Sequence, residues 1–141
     1  MTETATVETA INEVQVGDHL ELTSPLIAVG EPTSGLQVRL TTALRQEGAR
    51  PRVVSWMEEY PWRDCTVGAV NPMGELLLTR HRYYMPVVGD IVAMVWTVTR
   101  ITHAEWGVIY LGLSLHGQEV EVAFSKQKEV KLKVVRTTVA A

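Results

Sequence analysis

The residues of this chain best suited to metal binding, proton transfer or nucleophilic attack are four histidines, His19, His81, His103 and His116, and one cysteine, Cys65. Their spacing assembles no such site locally. No two histidines stand one helical turn apart, and no His-x-His or His-Glu-x-x-His run occurs. A lone cysteine supplies neither an internal disulfide nor a multi-thiolate zinc site. His103 with Glu105 and Asp90 is the one arrangement with acid/base or metal-ligating potential, and it reads as an ordinary surface turn rather than a site. Cys65, beside Thr66 and Val67 with no cationic neighbour, reads as a small buried filler rather than an activated thiolate. The chain also lacks a Gly-x-Ser-x-Gly elbow and a phosphate-cradling glycine loop. The expectation is a protein that is not an enzyme and carries no cofactor and no metal.

Two stretches carry binding chemistry instead. Between Ser55 and Trp62, Trp56, Glu58, Glu59, Tyr60 and Trp62 set three large rings around an acidic pair and a proline. Flat rings give contact area at low entropic cost and attract cations, so these five are the candidate partner-binding residues; the competing reading is that Trp56 and Trp62 plug the end of a small barrel. The second stretch is Arg80, His81, Arg82, Tyr83 and Tyr84. Arginines interleaved with tyrosines offer phosphate contacts and base stacking, so Arg80, Arg82, Tyr83 and Tyr84 are candidate nucleic-acid contacts. The overall charge argues against that use: a net charge of −3 and a pI near 5.8 attract no polyanion unless the basic groups are gathered on one face.

That charge is unevenly spread. Residues 1–35 contain six carboxylates and no Lys or Arg, whereas Lys126, Lys128, Lys131, Lys133 and Arg136 crowd the end of the chain against Glu129 alone. Cross-strand charge pairs are a common surface device, so the expectation is that the acidic first strand lies beside the basic last one. With 141 residues and 46% hydrophobic content the chain can bury a substantial core. It has no apolar run of the ~20 residues a membrane helix needs, and residues 1–13 lack the basic start and apolar centre of a secretion signal. The reading is a cytoplasmic protein, or a virus-associated one inside a host cell, not secreted and without a membrane partner.

The elements that must position these residues are strands. Apolar runs rich in Val, Leu, Ile, Thr, Tyr and Trp recur between Gly, Pro, Asn and Asp, predicting strands at 19–23, 26–29, 36–43, 52–57, 65–70, 75–79, 90–101, 107–115, 118–124 and 130–137. His116-Gly117 reads as a tight hairpin turn. Alternation of Val120, Val122 and Phe124, then Val130, Leu132 and Val134, predicts a hairpin folded about Gln127, with Val122 opposite Leu132 and Glu121 opposite Lys133. The only interior helical candidate is Thr41 to Gly48. Residues 1–13 and 139–141 have little to bury and read as tails.

Val16-Gly17-Asp18 and Val88-Gly89-Asp90 each open an apolar stretch, and the 72-residue shift between them pairs Leu20 with Val92, Leu26 with Val98, Gly35 with Gly107 and Val38 with Tyr110. The triplet has turn chemistry, since Gly accepts a positive φ and Asp bonds nearby backbone. A turn of this kind followed by short strands resembles the strand starts of SH3-like small barrels. The expected fold is all-β, a compact small barrel or sandwich built as two such halves in tandem: a first unit at 14–70, a connecting hairpin region at 71–87 and a second unit at 88–138. The expected function is non-enzymatic binding of a protein partner or self-association. The alternatives are a nucleic-acid-binding barrel and a structural or assembly component such as a virion protein, in which open edge strands pair with neighbours.

Overall fold

A computed structural model describes residues 2–126 and 130–139. Its β-branched and aromatic runs form ten strands: β1 Thr2–Ala10, β2 His19–Val29, β3 Gln37–Leu44, β4 Arg52–Glu59, β5 Trp62–Val70, β6 Leu76–Tyr84, β7 Ile91–His103, β8 Val108–Leu115, β9 Gln118–Ser125 and β10 Lys131–Val139. The pairings among the described residues are antiparallel, and the hydrogen-bonded sheet is not closed. The all-β class therefore holds. Among the described residues, no helix is long and apolar enough to cross a membrane.

The chain divides into two compact units, neither of which is continuous in sequence. One comprises Met1–Leu22, Arg45–Arg50 and Met94–Ala141; the other comprises Thr23–Leu44 and Pro51–Ala93. These bounds differ from the consecutive stretches read from the sequence, since β2 and β7 each contribute to both units.

In the first unit β10 lies between β1 and β2, with Val134 opposite Val7 on one side and Leu20 on the other. The turn before β2 uses Gly17 at φ +95°, and the Asp18 carboxylate accepts the Gln15 N–H at 2.9 Å. Gly17 N–H donates to Val98 C=O and Val98 N–H donates to Asp18 C=O, both at 2.8 Å. The core collects Leu20, Trp96, Val98, Ile109, Leu111, Leu113 and Val134, all 0–1% exposed. The indole N–H of Trp96 has no hydrogen-bond partner among the described residues.

The second unit repeats this scheme with other strands. β5 lies between β6 and β7, with Val67 opposite Thr79 and Val92. Gly89 has φ +97°, and the Asp90 carboxylate accepts the Val87 N–H at 2.8 Å. Gly89 N–H donates to Leu26 C=O and Leu26 N–H to Asp90 C=O, again at 2.8 Å. The core holds Leu26, Val38, Leu40, Trp56 and Val92. Its one fully buried hydroxyl, Thr42, lies 2.6 Å from the Pro25 carbonyl and 2.7 Å from the Ser24 hydroxyl, so burial leaves it bonded.

Each strand pairing of one unit has a counterpart in the other: β1 with β10 matches β6 with β5, and β10 with β2 matches β5 with β7. Likewise β2–β3–β4 matches β7–β8–β9, including a register break at Leu26/Ala28 and at Val98/Arg100. One correction to the sequence overlay follows. Thr33 N–H donates to Gln37 C=O in the β2–β3 connection as Ala104 N–H donates to Val108 C=O in the β7–β8 connection, a separation of 71 rather than 72. Leu36, not Gly35, therefore corresponds to Gly107, and both adopt left-handed φ values, +55° and +73°. Buried Val38 and Leu40 then match buried Ile109 and Leu111, because a one-residue slip exchanges the faces of a strand.

Three other expectations change. Residues 2–10, read as a tail, form β1, because β10 supplies a ladder partner and places Lys133 opposite both Glu8 and Glu21. This is the acidic-to-basic adjacency that the charge distribution predicts. The hairpin about Gln127 does not form: the turn lies outside the described residues, and β9 pairs with β8, Val122 opposite Leu111, while β10 pairs with β1 and β2. Thr41 to Leu44, read as a start of helix, belong to β3, where Thr42 and Leu44 alternate inward with Val38 and Leu40.

Candidate binding groove

The second unit carries a shallow groove at the end of its strands, assembled by two non-local pairings. The β3–β4 register sets Gln37 opposite Glu59. The chain then turns through Tyr60 and a cis Pro61 and returns as β5, whose Arg63 stands opposite Tyr83 of β6. Together with Gly35 and Leu36, these residues enclose a volume of about 270 Å³. Tyr60 N–H donates to Leu36 C=O at 2.8 Å, which fixes one wall. The Leu36 side chain is nevertheless 62% exposed, and that of Tyr83 is 53% exposed.

Charge in the groove is concentrated on the tyrosine ring. The guanidinium of Arg63 lies 5.6 Å and that of Arg82 5.5 Å from the Tyr83 centroid, within the range in which the ring quadrupole attracts a cation. Arg63 Nε also meets Glu59 Oε2 at 3.1 Å. Both groups are largely exposed, so this ion pair orients the arginine more than it stabilises the fold. Among the described residues no carboxylate lies within ion-pair distance of Arg82. The arrangement offers an apolar wall, an aromatic face and an available cation to a ligand with complementary groups.

The sequence-predicted residues divide sharply. Trp56 and Trp62 are 4% and 6% exposed, with centroids 6.3 Å apart at 61°, and Trp56 Nε1 donates to Glu58 Oε1 at 2.9 Å. They pack edge to face in the core and are not a contact surface, because strand alternation turns Val54 and Trp56 inward on β4 and Cys65 and Val67 inward on β5, and the positive φ of Asp64, +50°, interrupts the alternation so that Trp62 is buried as well. Glu59 and Tyr60 line the groove. Tyr83 lines it too, and Arg82 lies over the Tyr83 ring, so the structure joins part of each predicted stretch into one place. Arg80 sits exposed opposite Thr66, outside the lining. Tyr84 is half-buried, 4.8 Å from the His81 ring, and its hydroxyl donates to Asp90; burial first, then that bond, push its pKa up. Asp90 thereby serves the turn and Tyr84. Cys65 is buried, and burial pushes its thiol pKa up. No cluster of three or more His, Cys, Asp or Glu suited to a metal occurs among the described residues.

The corresponding corner of the first unit shows what the groove owes to its own side chains. There Lys126 N–H donates to Gly107 C=O, as Tyr60 does to Leu36, and Ile11 N–H donates to Val130 C=O where Tyr83 stands opposite Arg63. The backbone scheme is shared, yet Ile11 is 4% exposed and Tyr83 53%. The strand scheme does not itself require an exposed ring and two arginines at this place.

Sequence reasoning missed Leu36, Gln37 and Arg63, which only long-range pairing brings together. It also missed Trp106, which is 91% exposed at φ +65° in the Glu105–Gly107 turn between β7 and β8. A tryptophan directly before a glycine between two predicted strands was the available signal. No protein-family model, curated protein or solved structure matches this chain.

Proposed function

We propose that this chain is a non-enzymatic binding protein whose contact site is the groove of Leu36, Tyr60, Arg63 and Tyr83, and that its partner is a protein segment presenting one large apolar side chain beside a carboxylate. The observation that carries this reading is the half-exposed Tyr83 beneath Arg63 and Arg82, where the matching position in the other unit is a buried isoleucine. Exposed aromatic and arginine side chains together are the residue types that dominate binding energy at protein contacts. The matched pairings support, as part of the same proposal, descent of the two strand sets from one duplicated five-strand unit. In that view the binding role belongs where the copies diverge.

A single-stranded nucleic acid is the weaker reading. Glu59 sits in the same lining, and a net charge of −3 gives little attraction to a polyanion.

Selection of a random peptide library on the folded protein tests the proposal. Recovered peptides should combine an aromatic or large aliphatic residue with Asp or Glu and lose at least ~10-fold in affinity on Tyr83→Ala. Equal binding to Tyr83→Ala, or salt-sensitive retention of single-stranded DNA abolished by Arg63→Ala/Arg82→Ala without any peptide binding, contradicts it.

A further inference from the structure

We infer that the groove's occupant is a second copy of this chain, which inserts Trp106. This rests on the groove being a contact site, as proposed above. Trp106 is the most exposed large hydrophobic side chain among the described residues, at 91%. Its backbone is nonetheless held: Ala104 N–H donates to Val108 C=O at 2.9 Å, and Lys126 N–H donates to Gly107 C=O at 2.6 Å. An indole presented on a pinned turn loses little freedom on docking, which is the condition for an effective anchor.

The backbone of the turn is also unusual for the residue it carries. Trp106 has φ +65°, a left-handed conformation that is uncommon for a bulky residue. The residue at the matching place in the β2–β3 connection is Gly35, which does not share that positive φ. Glycine adopts a left-handed φ freely, so the turn itself does not call for a tryptophan at position 106.

Size and charge select the groove as the receiver. About 270 Å³ is smaller than the ~300–1,000 Å³ of pockets that enclose drug-sized ligands, and it suits one large side chain. Glu105, directly before Trp106, has no ion-pair partner among the described residues, and neither has Arg82 at the edge of the groove. Trp106 against Tyr60 and Tyr83, with Glu105 toward Arg82, pairs an apolar anchor with an aromatic wall and an unmatched anion with an unmatched cation. Each such contact uses the tryptophan of one molecule and the groove of another, so a molecule carrying both can make two of them.

Sedimentation across a concentration series tests this with variants that leave the fold intact. Trp106→Gly relieves the positive φ while removing the ring, and Tyr83→Ala empties the wall of the groove. The native chain should associate, and either variant alone should weaken association by ~30-fold. An equimolar mixture should form pairs that grow no further, since one intact groove and one intact tryptophan remain. A monomeric native chain, undiminished association of Trp106→Gly, or failure of the mixture to pair overturns the inference. Selected peptides separate the two claims: if they still bind wild type and Trp106→Gly equally while the native chain stays monomeric, the second copy is rejected and the groove stands. Loss of peptide discrimination at Tyr83→Ala rejects the groove itself.

Discussion

Tyr83, in β6, and Ile11, in the 3-10 turn that follows β1, stand at matching places beside β5 and β10, one half exposed over a groove and the other 4% exposed in a core. The place serves packing in one unit and is released from it in the other. Truncation should separate the two roles. Ile11→Ala is expected to cost ~2–5 kcal/mol of stability by leaving a cavity, and Tyr83→Ala no more than ~0.5 kcal/mol. Urea denaturation at neutral pH reads both, and equal losses would contradict the assignment.

Two buried tryptophans should respond in the opposite order to their burial. Trp96 is 0% exposed with an unpartnered indole N–H, whereas Trp56 is 4% exposed and bonded to Glu58. Phenylalanine removes a polar group costing ~1–3 kcal/mol unsatisfied at position 96, and removes a bond at position 56. Trp96→Phe is therefore expected to be the milder change by denaturant midpoint, despite its deeper site.

The two Gly-Asp turns should be energetically equivalent. Gly17 and Gly89 have φ values of +95° and +97°, and nothing lies within 4 Å of a Cβ added at either. Alanine there meets backbone strain and no clash, so each substitution should cost on the order of 1 kcal/mol. A cost at one position several times that at the other would show that the turns are not the same device.

Stability should decline in alkali. Burial raises the Cys65 thiol above its ordinary 9.0, and burial with the Asp90 bond raises the Tyr84 hydroxyl above its ordinary 10.0. In both cases the folded state keeps a proton that the unfolded chain releases, so the stabilisation is complete below the unfolded value and is lost as pH rises through the folded one. Denaturant midpoints measured from pH 8 upward should fall beyond 9, and Cys65→Ala should flatten the first part of that fall.

Strand composition made the class legible, and the Gly-Asp turns were legible because Gly17, Asp18, Gly89 and Asp90 act within their own few residues. So was the adjacency of acidic and basic strands, now seen as Glu8 and Glu21 flanking Lys133. Strand partners were not legible. The alternation of β10 suits any strand with an apolar face, and Val134 matches Val7 and Leu20 as well as the Val120 of the expected hairpin. The groove was hidden for the same reason, since Gln37 meets Glu59 and Arg63 meets Tyr83 only through pairing at a distance. Trp56 and Trp62 misled because Glu-Glu-Tyr-Pro between them looks like loop, although Glu58 and Glu59 end β4 and only Tyr60 and Pro61 connect it to β5, the tryptophans being buried on those two strands.

Amide shift mapping of the labelled protein against a selected peptide reads directly whether the groove around Tyr83 is the contact site. The largest shifts are expected at Leu36, Gln37, Tyr60, Arg63 and Tyr83. Shifts confined to the strands of the first unit, with these five residues unmoved, would contradict it.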